Sequence, residues 1–244
     1  MGVIARNVFI VHSPLTIQQY ILAGGFVALA IFDLDNTLIA GDSDYLWGQF
    51  MANEGMVDAV RFHEGNDHFY RQYEAGTMVL SEYLDFCLEP LTQFTLDELK
   101  VWHDKFMEQT IRPIMLEKAA SLLKKHRDQG DYLMIITATS RFVTEPIARA
   151  LDVDTLLAIE LDIEDNRYTG KVVGTPTYQE GKVIRLKQWL QENPEYSLEG
   201  SYFYSDSKND LPLLNQVEHP FAVDSDPELT AVATEKGWSI ISLR

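Results

Sequence analysis

The apolar positions of the chain follow two rhythms. Phe26–Phe32 is a short, continuous apolar run, partly β-branched, which predicts a strand buried on both faces. Tyr132–Thr137, with Leu-Met-Ile-Ile at its centre, predicts a second strand, and Ser201–Ser205 a third. Elsewhere the apolar residues recur at helical spacing. Leu99, Trp102 and Phe106 fall on one helix face, and Thr95 with Glu98 forms a capping box ahead of them. Leu116–Gln129 reads as a helix stopped by Gly130. Arg141–Leu151 and Lys182–Gln191 read as two more, the latter with Val183, Leu186 and Leu190 on one face. Leu157–Ile163 and Tyr168–Val173 alternate around Asp165-Asn166, which predicts a β-hairpin. Leu211–Val217 predicts a short helix, and Pro220–Val223 and Ser239–Leu243 short strands.

Strands alternating with helices predict an α/β fold: a doubly wound, mostly parallel sheet with helices on both faces. The stretch from 43 to 112 carries no strand signal and reads as a helical cap inserted after the first strand. The expected organisation is a core of residues 26–42 and 113–244, a cap of residues 43–112, and an N-terminal extension, residues 1–25, dispensable for activity. Val27 would then serve as an alternative start. Pro14–Phe32 is mostly apolar, but Gln18, Gln19 and Gly24-Gly25 interrupt it, and its end is needed as the first strand. No membrane span is therefore predicted.

Charge narrows the partners. The 244 residues hold 20 Lys plus Arg against 37 Asp plus Glu, a net −17. Such a surface opposes general nucleic-acid binding and anionic membranes. Cys87 is the single cysteine, so an intramolecular disulfide and a cysteine-rich metal site are both excluded. A reducing, cytoplasmic location is the expectation. Cys87 lies among apolar neighbours and reads as packing.

In open α/β sheets the chemistry gathers at the carboxyl ends of the strands. The first strand runs into Asp33-Leu34-Asp35-Asn36-Thr37, the second into Thr137-Ala138-Thr139, the third into Asp206-Ser207-Lys208-Asn209-Asp210, and Lys182 opens the preceding helix. Each fragment alone reads as a turn, a strand end, a solvated lysine or a cap. Together they put four carboxylates, a hydroxyl and an ammonium on one edge. Four carboxylates repel unless compensated, and a hard divalent cation such as Mg²⁺ is the natural remedy. A carboxylate can also form a covalent phosphoaspartate, splitting a slow hydrolysis in two, while an acid two residues away protonates the leaving alkoxide and then deprotonates water.

These motifs, in this order, resemble a haloacid dehalogenase-type phosphohydrolase over nearly all of Phe26–Arg244. The helical insert and the hairpin around Asn166 resemble the phosphoserine phosphatase branch. The resemblance implies Asp33 as nucleophile and Asp35 as general acid/base. It implies Thr137, Lys182 and Asn209 as phosphate-binding residues, Asn209 touching phosphate or Lys182. Asp33, Asp35 (through its carbonyl), Asp206 and Asp210 would hold or orient Mg²⁺. Gly41-Asp42-Ser43-Asp44-Tyr45-Leu46-Trp47 and Thr139-Ser140-Arg141-Phe142-Val143-Thr144 further resemble a bacterial group that includes histidinol phosphatases. On that resemblance the expected substrate is a small phosphorylated metabolite, L-histidinol phosphate first, with L-phosphoserine as the alternative. Asp42 falls where phosphoserine phosphatases place a glutamate that holds the substrate ammonium. Asp44, Trp47, Asn66, Asp67, Tyr70, Arg71 and Tyr73 are the further substrate candidates, Arg71 as the carboxylate fork that phosphoserine would need. Two rivals lose ground: a dehalogenase has no use for Asp206 and Asp210, and a phosphometabolite-binding regulatory module would not retain both Asp33 and Asp35.

Overall fold

The computed structural model describes residues 27–244; the expectation for residues 1–25 lies outside them. Its sheet has seven strands: β1 (Leu29–Phe32), β2 (Tyr132–Ser140), β3 (Thr155–Glu164), β4 (Arg167–Val173), β5 (Tyr202–Ser205), β6 (His219–Val223) and β7 (Ser239–Ile241). Their order is β4-β3-β2-β1-β5-β6-β7. All neighbours run parallel except β3 and β4, which form the predicted antiparallel hairpin at one edge. This is the doubly wound α/β sheet the alternation predicts.

The central strand β1 explains why its sequence does not alternate. Ala30 and Phe32 face one core, Leu29 and Ile31 the other, and all four are fully buried. Side chains on opposite faces each meet a helical layer, so an apolar residue is required at every position.

Nine helices flank or extend the sheet in the described residues: α1 (Ser43–Asn53), α2 (Ala59–Ala75), α3 (Leu80–Leu88), α4 (Leu96–Phe106), α5 (Glu117–Gln129), α6 (Arg141–Ala150), α7 (Glu180–Glu192), the single turn α8 (Leu211–Leu214) and α9 (Pro227–Lys236). α1 to α4 fill the strandless stretch, joined by a 3₁₀ segment at Glu89–Gln93. The capping box before α4 is formed, Thr95 and Glu98 each satisfying the other's backbone N–H. A π-helical turn, Met107–Ile111, follows α4 and leads the chain back to the sheet. The way out and the way back lie side by side: Ile39 bridges Met115, and the Ala40 N–H donates to the Ile114 carbonyl at 2.8 Å. The hairpin leans on these helices, with the Leu96 N–H donating to the Asn166 carbonyl at 3.0 Å and Arg167 to the Gln93 carbonyl at 2.9 Å.

Two differences from the sequence reading have local causes. β2 continues through Thr137-Ala138-Thr139 to Ser140 with a register irregularity, because its polar end is needed at the site and not in the core. α9 carries a start signal that the apolar pattern hides: Asp226 caps it by accepting from the Leu229 N–H, and Pro227 occupies the first turn.

A buried histidine ties the sheet to α5. His126 is 1% exposed. Its Nδ1–H donates to Asp131 at 2.7 Å, since a carboxylate only accepts, and its Nε2 accepts from the Tyr204 hydroxyl at 2.8 Å. Burial outweighs the Asp131 contact and holds its pKa below 6.5. The unfolded chain therefore takes up this proton first, and the stability His126 contributes is present above about pH 6.5 and is lost as pH falls. Replacing His126 with Gln should cost about 1–3 kcal/mol at pH 7.5. The gap to wild type should narrow toward pH 5, as read by urea unfolding at both pH values.

Candidate active site

The site is assembled at the carboxyl edge of β1, β2 and β5. After Phe32 the chain makes one tight turn: the Asp33 N–H donates to the Tyr204 carbonyl at 2.8 Å, and the Leu38 N–H to the Leu34 carbonyl at 2.9 Å. Asn36 takes the left-handed conformation, φ 57°, which asparagine tolerates better than most residues. Asp33 and Asp35 leave this turn into the same pocket. Lys182 reaches Asp33 from the first turn of α7. The approach is close, for a Cβ on Gly181 would lie 1.9 Å from the Pro176 carbonyl oxygen, so only glycine fits there.

Lys182 is 2% exposed, and its Nζ donates to Asp33 Oδ1 and to Asp210 Oδ2, both at 2.7 Å. The Ser205 hydroxyl also donates to Asp210 Oδ2, at 2.7 Å. Asp35 is held differently. It accepts from the Ser43 N–H at 2.6 Å, the Thr139 hydroxyl at 3.0 Å and the Thr137 hydroxyl at 3.3 Å. One acid is thus paired with an ammonium and the other held by neutral donors. Burial, against the pull of Lys182 and with the push of Asp210 and Asp35, raises Asp33 to about 7. Burial and Asp42 raise Asp35 to about 6.

Asp206 is the uncompensated member. Its nearest partner is a neutral hydroxyl: Thr37 Oγ1 lies 3.3 Å from Asp206 Oδ1 and 3.5 Å from Asp33 Oδ2, and accepts from the Asp206 N–H at 3.1 Å. Burial and the charges of Asp33 and Asp210 push Asp206 well above the usual carboxylate range. Among the described residues no three His, Cys, Asp or Glu side chains converge as a metal cluster. An ion between Asp33 and Asp206 would therefore rest on two carboxylates, a backbone carbonyl and water. Such an all-oxygen, partly hydrated set suits Mg²⁺, and the surplus charge on Asp206 is what a cation would relieve.

Above this edge α1, α2 and α3 close a recess. Its floor is Asp33, Asp35 and Thr137–Thr139. Asn66, Phe69, Tyr70 and Tyr73 line it from one face of α2, at i, i+3, i+4 and i+7. Asp42, Asp44 and Tyr45 line it from the start of α1, with Met78 and Tyr83 opposite. No lysine, arginine or histidine is in the lining among the described residues.

The sequence candidates divide accordingly. Asp33, Asp35, Thr137, Lys182, Asp206 and Asp210 come together, and Asp42 and Asp44 join them in the recess. Asn209 does not contact Lys182; its Nδ2 donates to the Tyr73 carbonyl at 3.3 Å, and its Oδ1 accepts from Gln179 at 3.1 Å. It ties α2 to the core. Two substrate candidates are corrected. Trp47 is 2% exposed and packed against Phe50, His103, Phe106 and Phe142 at 5.1–5.7 Å, so its ring is core. Arg71 is exposed, one residue around the helix from Tyr70, and outside the recess. Tyr45, Phe69, Met78, Tyr83 and Thr139 line the recess and are not among the sequence candidates. The helical spacing from Tyr70 and Tyr73 would have found Phe69.

Comparison with known proteins agrees with the geometry. The family model for haloacid dehalogenase-like hydrolases matches residues 30–215. A histidinol-phosphatase of Neisseria meningitidis serogroup C is 42% identical over 219 residues, spanning 88% of this chain and 99% of that protein. A phosphoserine phosphatase of Mycobacterium tuberculosis is 26% identical over 96% of this chain and 79% of its own. Among solved structures, a protein of unknown function from Bordetella pertussis Tohama I superposes with a TM-score of 0.84 at 40% identity, covering 90% of this chain and all of that one. A substrate-bound phosphoserine phosphatase shares the fold, with a TM-score of 0.66 at 16% identity over 89% of this chain and 93% of the other.

The lysine bridge makes a stability prediction. Replacing Lys182 with Met strands two buried carboxylates and should cost about 3–5 kcal/mol at pH 8. The loss should be smaller at pH 5.5, where the folded variant takes up a proton on Asp33, which burial already raises. Urea unfolding at the two pH values checks both the size and the sign.

Proposed function

We propose that this chain, which belongs to the haloacid dehalogenase-like hydrolase family, is a phosphatase that hydrolyses a small phosphate monoester with a cationic leaving group, L-histidinol phosphate, through a phosphoaspartate. The observation that carries the reading is the recess itself: acidic, aromatic and free of basic side chains in its lining, it opens directly onto Asp33.

Asp33 attacks phosphorus while the P–O bond to the leaving group breaks. Asp35 gives its proton to the departing alkoxide. Water then attacks the phosphorus of the acyl phosphate, Asp35 takes that water's proton, and inorganic phosphate leaves with Asp33 restored. An acid raised to about 6 is suited to both proton transfers near neutral pH. The bonds from Ser43 and Thr139 aim Asp35, and Lys182 keeps Asp33 in place and offsets its charge. Thr137 and Lys182 face the transferred phosphoryl oxygens. Mg²⁺, held by Asp33, Asp206 and the Asp35 carbonyl with Asp210 behind, would supply neutralisation of phosphoryl charge.

Substrate choice follows from charge. L-histidinol phosphate carries an ammonium and an imidazole and no carboxylate. L-phosphoserine would bring a carboxylate among four aspartates, and Arg71, the residue that could receive it, lies outside the recess. The 42% identity to a histidinol-phosphatase supports the same choice. The recess offers about 50 Å³, little for a phosphorylated metabolite, and movement of the helical block would widen it for substrate. A cytoplasmic enzyme of histidine biosynthesis is the corresponding role, in keeping with a single cysteine.

Phosphate release measured with L-histidinol phosphate and L-phosphoserine side by side should favour the former at least tenfold in kcat/KM with Mg²⁺ and vanish with chelator. A preference for L-phosphoserine would overturn the substrate reading. Asp33→Asn should abolish turnover and leave the circular dichroism spectrum intact; retained phosphatase activity would remove Asp33 as the nucleophile.

A further inference from the structure

Two aspartates of the recess do different things, although they are two residues apart. Asp42 caps α1: its Oδ1 accepts from the Asp44 N–H at 3.0 Å and the Tyr45 N–H at 2.9 Å. It stands where the chain has just left the Asp35 turn. Asp44 faces the helical block. Its Oδ2 accepts from the Tyr83 hydroxyl of α3, and its other oxygen has no partner among the described residues. Tyr83 is a neutral donor. It fixes the direction of the carboxylate without cancelling its charge, unlike Lys182, which neutralises the acids it holds. A half-buried carboxylate that lines a recess with no fixed cation beside it is built to meet a cation that arrives from outside.

The walls beside Asp44 add a shape. Tyr83 packs against Phe69 at 5.5 Å and 64°, and Tyr45 against Tyr70 at 5.0 Å and 48°. All four rings line the recess. Aromatic walls next to an unpaired carboxylate suit a flat, N–H-bearing cation, which can stack and donate at once.

We propose that Asp44, aimed by Tyr83, selects a planar nitrogen ring on the leaving group, while Asp42 takes the ammonium next to the ester. This rests on the substrate reading above and assigns its parts. In L-histidinol phosphate the ammonium sits on the carbon adjoining the ester carbon, and the imidazole lies one methylene further. Asp33, Asp42 and the Asp44–Tyr83 pair would then meet phosphoryl group, ammonium and ring in that order. Asp44 is the determinant of specificity, and Tyr83 a positioning residue that acts through it.

Three phosphate esters test the assignment with Mg²⁺ present: L-histidinol phosphate, ethanolamine phosphate (an ammonium and no ring) and p-nitrophenyl phosphate (a flat aryl ring with no ammonium and no N–H). Asp44→Asn should lower kcat/KM for L-histidinol phosphate about 10- to 100-fold, chiefly through KM. It should lower that for ethanolamine phosphate no more than about 3-fold, so the ratio of the two falls. Tyr83→Phe should shift the same ratio in the same direction, about 3- to 10-fold. Asp42→Asn should lower both amine substrates together relative to the aryl phosphate. Equal losses of Asp44→Asn on the two amine substrates, or an unchanged ratio in Tyr83→Phe, would overturn the assignment. Calorimetric binding of the product L-histidinol, weaker to Asp44→Asn than to wild type, supplies a readout that needs no turnover; unchanged binding would overturn the assignment. A wild-type enzyme that turns over the aryl phosphate and not L-histidinol phosphate overturns the substrate reading instead, and is recognised before any variant is made.

Discussion

The ion-paired bridge through Lys182 is the constraint around which the rest is arranged. One ammonium, buried to 2% exposure, joins Asp33 from the end of β1 to Asp210 from the turn after β5. Removing three charges from water is unfavourable, and only good geometry with further hydrogen bonds repays it. That geometry exists because β1 and β5 are adjacent parallel strands that end at the same level, and because Gly181 lets α7 approach closely. The trio still carries one net negative charge, and Asp206 adds another beside it. The sheet edge is therefore left with an anionic surplus and a single fixed cation, a state suited to a metal ion and a phosphoryl group arriving together.

This half of the molecule was legible in the sequence because its signals are local. An apolar run that ends in Asp-x-Asp reports a buried strand and its exit in one stretch of chain. Thr137, Lys182, Asp206 and Asp210 each sit at the end of an element whose periodicity marks it, so their convergence follows from the parallel topology. The hairpin at Asp165-Asn166 and the capping box at Thr95 were readable for the same reason.

The helical block was less legible, since what a helical residue does there depends on what lies opposite it. Trp47 is aromatic and near Asp44, yet it faces His103 and Phe142. Arg71 is adjacent in sequence to Tyr70, and about 100° of helix rotation takes it out to solvent. Tyr83 enters the site from a third helix, and only the packing of α3 beside α1 brings its hydroxyl to Asp44. A periodic pattern identifies a buried face; it does not say whether that face meets a core or a cavity.

The same contrast separates chemistry from choice of substrate. At the sheet edge a fixed cation stands among the acids: Lys182 spans Asp33 and Asp210, while Asp35 is oriented by N–H and O–H donors. On the helical side Asp42 and Asp44 are oriented by backbone N–H groups and a phenol, which leave their charge in the recess. Burial raises both to about 6, and a cation brought close to them would favour their charged forms. A positively charged leaving group relieves that burden on entry, whereas a neutral one gains nothing and an anionic one adds to it. On the proposed reading, selection rests on carboxylates of the helical side that no fixed cation faces, and catalysis on an aspartate that Lys182 holds.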